Sequence, residues 1–189
     1  MTLRLIAGPG TEPLTLAEAK AHLRVTHTAD DDLITSLIVA AREAAEHETG
    51  RSLVTQTWER VLDAFPLCEI ELGWPDVLSV VYVKFTDTAS TEQTIDPANY
   101  VLDSATSPGW LLPAYAYSWP TTLDTINAVR VRFTTGYGAA SDVPVGIKTW
   151  MKLRIGTLYR FREEVQTTAL ADMPGSFAAR LLDKYRVYA

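Results

Sequence analysis

Cysteine and histidine, which supply many metal ligands and nucleophiles, are scarce in this sequence of 189 residues. Cys68 is the single cysteine, so an internal disulfide and a thiolate cluster are both excluded, and a reducing compartment is expected. The three histidines, His22, His27 and His47, include no pair with the i, i+4 spacing of a zinc-protease helix. We therefore predict no metal site.

Motifs that would indicate catalysis or cofactor binding are also missing. The sequence has neither a Gly-x-Ser-x-Gly elbow nor a Gly-x-x-x-x-Gly-Lys phosphate loop, and the glycine pair at 136–138 lacks the next glycine of a dinucleotide turn. The acidic run at 30–32 does not begin a calcium loop, because Thr35 and Ala41 occupy the positions that need Gly and Glu. We predict no catalytic residue and no cofactor, and hence a protein that is not an enzyme.

Long apolar runs are absent as well. None approaches the ~20 residues that a membrane-spanning helix requires. The apolar stretch at 5–7 is too short for a signal peptide, so neither membrane insertion nor secretion is expected.

Positive charge is in short supply, and it is unevenly distributed. The chain carries 17 Lys and Arg against 23 Asp and Glu, a net charge of −6. Residues 1–142 hold 9 basic and 19 acidic side chains, a net charge of −10. Residues 143–189 hold 8 basic and 4 acidic side chains, a net charge of +4. The acidic part of the chain, residues 1–142, is expected to repel DNA phosphates, whereas the basic C-terminal region is suited to binding an acidic protein surface. The alternative is that both regions are ordinary solvated surfaces.

Helical patterns occupy the N-terminal part of the chain. Thr15 and Glu18 have the spacing of a capping box, and Gly50 is placed to end a second helix that follows the acids at 30–32. The apolar stripe of this second helix leaves Arg42, Glu43, Glu46 and His47 on the side expected to face outward.

Helical patterns return near the C-terminus. Apolar residues at helical spacing continue after Asp142, a candidate N-cap. A polar loop at 163–175 then precedes a final helix that begins at Ser176.

Between these helices the pattern is typical of strands. β-branched and aromatic residues predict strands at 55–62, 69–72, 78–85, 100–102, 110–112 and 127–134, separated by turn residues. We predict an α+β fold in which residues 1–189 form a single domain. Its helical frame covers 14–50 and 143–187, and an antiparallel β-rich insertion occupies about 53–137, structurally continuous with the frame.

Two kinds of binding site could be built on this fold. Residues 14–19 resemble the first helix of many helix-turn-helix motifs. The recognition helix would then begin at 30–32 and place three carboxylates against DNA phosphates, which electrostatics disfavours. The aromatic segment contains Trp110, Tyr115, Tyr117 and Trp119, and alternation at 115, 117 and 119 would put three rings on one strand face. Such rings could stack on sugars, but a core or subunit interface is favoured for them.

Several short segments, taken in their order, identify a family. They are PLTLAEAK at 13–20, DDLI at 31–34, TGRSL at 49–53, QTW at 56–58, GYG at 136–138 followed by VP at 143–144, and LLDKYRVY at 181–188. Together they resemble the head–tail connector proteins of tailed phages, also called adaptor or head-completion proteins, in the branch with a β insertion between its helices. The resemblance extends over nearly the whole chain.

The resemblance implies a structural virion protein at the head–tail junction, made in the cytoplasm of the host bacterium. It implies a homo-oligomeric ring, expected to be dodecameric, that lies beneath the portal protein and offers a docking surface to a stopper or tail-completion protein. DNA would pass through this ring without tight binding, and the family has no catalytic residues or cofactor to transfer. The alternatives are a carbohydrate-binding virion component that uses surface aromatics, and a phage-encoded enzyme.

Two sets of residues are candidates for the contacts of such a ring. We expect the C-terminal helix to dock on the portal protein through Phe177, Arg180, Leu181, Lys184, Tyr185 and Arg186. We expect the aromatic segment to contact a neighbouring subunit or the tail through Trp110, Tyr115, Tyr117 and Trp119. The competing interpretation of the C-terminal helix is that it completes the core of its own subunit.

Overall fold

The computed structural model describes residues 2–161 and 176–187. The chain forms two compact units. The β unit comprises Met1–Gly10 and Thr55–Tyr137, and the helical unit comprises Thr11–Val54 and Gly138–Ala189. Helices and antiparallel sheets are both present, so the predicted α+β class is confirmed.

The β unit contains two antiparallel sheets. The larger has the strand order β1-β2-β8-β4-β5 and is built from β1 (Thr2–Ala7), β2 (Gln56–Leu62), β4 (Val77–Thr86), β5 (Glu92–Thr94) and β8 (Val129–Thr135). The smaller has the order β3-β7-β6 and is built from β3 (Ile70–Glu71), β6 (Tyr100–Asp103) and β7 (Trp110–Pro113). All six predicted strands are therefore present.

One apolar core is shared by the two sheets. Val129, Val131 and Phe133 alternate along β8 and are all fully buried, as the period of two in the sequence predicts. They pack in one cluster with Ile70 and Leu111 of the smaller sheet. Because inward residues are apolar on both sheets, the opposite face of each sheet is directed away from this core.

Two strands were not predicted. β1 lies near the N-terminus, outside the predicted insertion, and pairs with β2 from Thr2 opposite Val61 onward. β5 lies between the strands predicted at 78–85 and 100–102, where no strand was expected. It forms a short hairpin with β4 across a turn in which Asp87 accepts hydrogen bonds from two backbone N–H groups. The residues of β5 are all exposed, which explains why they show no apolar alternation.

The described part of the helical unit contains four α-helices: α1 (Leu16–Leu23), α2 (Asp31–Thr49), α3 (Val145–Arg160) and α4 (Ser176–Asp183). The predicted capping box is present, since Glu18 N donates to Thr15 Oγ1 at 3.2 Å and Thr15 N donates to Glu18 Oε2 at 2.9 Å. Gly50 ends α2 with φ of 65°, as predicted. The predicted loop at 163–175 lies outside the described residues.

The start of α3 differs slightly from the prediction. Its N-cap is Pro144, and Asp142 instead lies in a preceding turn, where its carboxylate accepts a hydrogen bond from Ala139 N. The buried residues of α2 and α3 recur every three or four positions, as expected for helices packed on a core. Among the described residues, no helix combines the length and apolarity needed to cross a membrane.

Candidate docking surfaces

The aromatic segment does not form the continuous strand that the alternation predicted. Trp110 lies on β7, but that strand ends at Pro113, and a turn follows in which Tyr117 N donates to Ala114 O. Ala116 adopts a positive φ of 62° there, which breaks the alternation. Tyr115 is fully exposed, so the prediction of three rings on one strand face is wrong.

Tyr117 and Trp119 pack against the core of the β unit. The Trp119 ring stacks on Phe65 with centroids 5.0 Å apart and nearly parallel planes, and its indole N–H donates to the carbonyl of Cys68 at 2.6 Å. Tyr117 approaches Trp119 edge-on at 6.4 Å. Phe65 thus covers one face of Trp119. Of the four aromatic residues predicted to contact a neighbouring subunit or the tail, Tyr117 and Trp119 pack on the core cluster, whereas Trp110 and Tyr115 are not part of it.

The C-terminal helix α4 packs on its own unit. Leu182 is fully buried, and a Cβ added at Gly146 of α3 would lie only 3.1 Å from the Tyr185 hydroxyl oxygen. Arg51 Nε donates to the carbonyl of Tyr185 at 2.6 Å, and Val187 N donates to that of Thr49 at 3.0 Å. These contacts fix the end of the chain against α2 and α3.

The charged side chains of α4 divide into two groups. Arg186 donates to Glu48 at 2.8 Å and lies 3.6 Å from Asp183, so it forms ion pairs within the unit. Arg180 and Lys184 are exposed. The side chain of Phe177 lies outside the described residues. Of the predicted portal-docking set, Arg180 and Lys184 are therefore the charged members that the fold leaves exposed.

A charged sheet face was missed by the sequence analysis. Arg4, Glu59, Arg132 and Tyr82 lie side by side in register across β1, β2, β8 and β4. Arg132 donates to Glu59 Oε1 at 2.9 Å, the Tyr82 hydroxyl donates to the same oxygen at 2.8 Å, and Arg4 donates to Oε2 at 3.2 Å. The alternation of Arg and Val in β8 was the available signal, since residues between buried valines must face the opposite way.

The Glu59 carboxylate is buried and remains ionised. Burial alone would raise the pKa of Glu59, but the hydrogen bonds from Tyr82 and Arg132, together with the positive charges of Arg132 and Arg4, outweigh it, so this pKa lies below its ordinary value. Burial and the adjacent carboxylate together raise the pKa of Tyr82, which keeps the phenol protonated as a donor. The row is thus a fixed network of charges.

A second buried charge corrects a prediction for α2. Arg42 and Glu46 were expected to face outward, but Arg42 is buried and donates to Glu12 at 2.9 Å and to Glu46 at 2.7 Å. Glu46 also accepts a hydrogen bond from Leu53 N, yet its burial raises its pKa. This cluster joins the segment before α1 and the segment after α2, which is a structural role.

Within residues 2–161 and 176–187, no three His, Cys, Asp or Glu side chains lie close enough together to hold a metal ion. Tyr159 donates to Asp30, and His27 lies 3.9 Å from the same carboxylate, so the acids before α2 are engaged by the protein itself.

A family profile matches about a third of the chain, in its N-terminal part. The sequence profile described as "Phage gp6-like head-tail connector protein" matches residues 13–72, which include α1, α2, β2 and β3. No curated protein sequence matches the chain.

Solved structures match the whole fold. A chain in the neck of an empty gene transfer agent (GTA) particle, computed with C6 symmetry, has a TM-score of 0.79 and 24% identity. A chain in the virion of the native GTA particle has a TM-score of 0.81 and 23% identity. A chain in the native GTA neck, computed with C12 symmetry, has a TM-score of 0.73 and 24% identity. Each match covers 100% of this chain and 97% of the other. The profile and the fold together confirm the resemblance of this chain to the phage head–tail connector proteins.

Proposed function

We propose that this protein is a structural component of a tailed particle, a connector ring at the head–tail junction between the portal protein and the tail. The observation that carries the proposal is the fold, which matches chains from GTA particles over its full length, including two from the neck. The connector profile at residues 13–72 supports the same role independently. The twelvefold symmetry of one of these necks supports a dodecameric ring.

A structural role without catalysis is consistent with how the buried charges are used. Among the described residues, Glu59 and Arg42 are the most buried charged side chains of the β unit and the helical unit, and each is neutralised by fixed partners. Groups held in this way maintain geometry, whereas a catalytic acid or base needs access to a substrate. The ring carries DNA through its centre, and the acidic body limits attraction to phosphates.

We assign portal docking to α4 and its surroundings. The Tyr185 ring faces α3 of the same unit, where it would lie within 3.3 Å of a Cβ added at Gly146, and the backbone carbonyl of Leu181 would lie 3.6 Å from the same Cβ. Arg180 and Lys184 then supply charge that an acidic portal surface would attract. An exposed ion pair contributes only ~0–1 kcal/mol, but reversing both charges also adds repulsion from an acidic surface, so a double reversal weakens binding more than loss of the pairs alone.

The experiment that tests this function uses purified full-length protein and DNA-filled heads that lack it. We expect the protein to bind these heads and to appear as a ring under the portal in negative-stain images, after which tails attach. The double variant Arg180→Glu, Lys184→Glu should bind at least about tenfold more weakly, while Arg24→Glu, Arg154→Glu, which changes the net charge equally, should bind normally.

Two results would contradict the proposal. Wild-type protein that never joins the heads would refute the connector role. Equal binding by both double variants would refute the assignment to α4 but leave the connector role intact. A gel shift at low salt adds an independent check, since sub-micromolar binding to duplex DNA is not expected of this protein.

A further inference from the structure

The positive charge of the β unit is concentrated on one sheet face. The unit contains five Lys and Arg against ten Asp and Glu. Four of the five cations, Arg4, Lys84, Arg130 and Arg132, lie on the face of the five-stranded sheet opposite the core, whereas Arg60 is in register with buried Val131. We call these four side chains, with Glu59, Tyr82 and Glu92, the basic face.

The basic face consists of two groups of side chains, one around Glu59 and one around Glu92, and it has a surplus of positive charge. Glu59 is shared by Arg4 and Arg132, and Glu92 is shared by Lys84 and Arg130. Each carboxylate thus has two cations, and the face has a net charge of +2. A hollow of about 300 Å³ is lined by Thr2, Arg4, Val61, Asn127 and Arg130.

The cations of the basic face are held in place before any partner arrives. Lys84 Nζ lies 5.1 Å and Arg132 Cζ 4.8 Å from the centre of the Tyr82 ring, distances at which a cation is attracted to the aromatic face. Positions fixed in this way reduce the entropy that binding would otherwise cost.

The outward face of the smaller sheet has the opposite charge. Ile70, Leu111 and Leu102 are in register and face the core, so Glu71, Trp110 and Asp103, the next residues in register, face outward. Val101 and Leu112 form the adjacent outward pair, and Val101 is 55% exposed. We call these five residues the acidic face; it has a charge of −2 around a half-buried tryptophan.

We propose that the basic face of one copy of this protein docks on the acidic face of the next copy. The inference rests on the proposed ring, because a closed ring needs two different complementary surfaces on every subunit. The two faces belong to the two sheets of one unit, and their charges of +2 and −2 balance. Trp110 and Val101 supply the apolar centre that protein interfaces usually contain.

The alternative occupant of the basic face is a nucleic-acid backbone. The remaining charge of the β unit argues against it, since the eight other acids and Arg60 give −7 outside the basic face. Such an excess opposes a polyanion but attracts the +2 face of another copy. Charge complementarity therefore favours a second copy.

Charge reversal tests the contact in the full-length protein. Variant one carries Lys84→Glu and Arg130→Glu, which replace two residues that contact the exposed Glu92 and form no ion pair with Glu59. Variant two carries Glu71→Lys and Asp103→Lys. Self-association is measured by sedimentation at low salt and high protein concentration, with tryptophan fluorescence as the check on folding.

We expect wild-type protein to self-associate and each variant alone to do so at least about tenfold more weakly, because both faces then carry the same sign. An equimolar mixture of the two should recover association, since each reversed face then meets a face of opposite sign. The control Arg24→Glu, Arg154→Glu, which changes the net charge of the chain as variant one does, should behave as wild type.

Several outcomes would overturn the proposal: a wild type that stays monomeric, variants that associate normally, a mixture that fails to recover, or a control that loses association. Duplex binding by wild type that variant one loses would assign the basic face to phosphates instead. Ring formation by variant one on DNA-filled heads would refute the contact and leave the connector role standing, so the two failures are distinguishable.

Discussion

Replacing Glu59 tests whether the buried network stabilises the β unit. The change Glu59→Gln preserves size but removes the charge that Tyr82, Arg132 and Arg4 all contact. A hydrogen bond to a charged group is worth about 1 kcal/mol more than a neutral one, and three partners lose that difference. We therefore expect the free energy of unfolding to fall by about 3 kcal/mol, consistent with breaking a buried ion pair.

Glu92→Gln is the matched control. Glu92 also contacts two cations on the same sheet face, but its side chain is 44% exposed whereas that of Glu59 is 1% exposed. Solvent screens the exposed pairs, so Glu92→Gln should cost less than ~1 kcal/mol. Urea unfolding followed by tryptophan fluorescence reports mainly on the β unit, which holds four of the five tryptophans, including the stacked Trp58 and Trp74.

The pH dependence adds a second test of the same network. Because the pKa of Glu59 is lowered in the folded protein, its ionised form contributes stability that is complete above the pKa of the unfolded chain, about 4.3. That contribution is lost as the pH falls through the lower folded-state value. The difference between wild type and Glu59→Gln should thus be full near neutrality and shrink below about pH 4. A cost within about 0.5 kcal/mol of zero, or equal to that of Glu92→Gln, would refute the reasoning.

Three further predictions concern the helical unit, each measured by urea unfolding with far-UV circular dichroism. Thr15→Ala removes the N-cap of α1 and should cost ~1 kcal/mol; no change would show that Glu18 alone caps the helix. Leu182→Ala leaves a cavity under α4 and should cost ~2–5 kcal/mol, whereas a negligible cost would mean that α4 does not complete the core. Arg42→Ala should cost ~3–5 kcal/mol at pH 7. It should cost less at pH 5, because burial already raises the pKa of Glu46 and loss of the cation raises it further; a cost independent of pH would contradict this.

Features set by neighbouring residues could be predicted from the sequence. The capping box joins Thr15 to Glu18, and Gly50 ends α2 through its own backbone conformation, so each signal lies within a few positions. The alternation in β8 likewise needs only Val129, Val131 and Phe133 to reveal the buried face. Such patterns predicted the α+β class and the four α-helices of the described residues.

Features set by distant partners could not be predicted in this way. Whether a charged residue is buried depends on what neutralises it, and Glu12 is 30 positions from Arg42, while Arg4 and Arg132 are 55 and 73 positions from Glu59. β1 is defined by pairing with a strand more than 50 residues away. The turn that interrupts the aromatic segment has an alanine, Ala116, at the position with positive φ, where glycine would be usual. The sequence therefore carries no turn signal at that position, and its periodicity alone favoured a strand.

The charge distribution also bears on how DNA would pass through a ring. The net charge of −10 over residues 1–142 predicts repulsion of phosphates, but an average does not show that four cations share one sheet face. Left exposed to the channel, those cations would form contacts with phosphates that slow a moving duplex. Docked on the acidic face of the next copy, they are neutralised at the subunit contact, and most of the remaining exposed charge of the β unit is acidic. The contact that closes the proposed ring thus also removes the cations that would bind DNA.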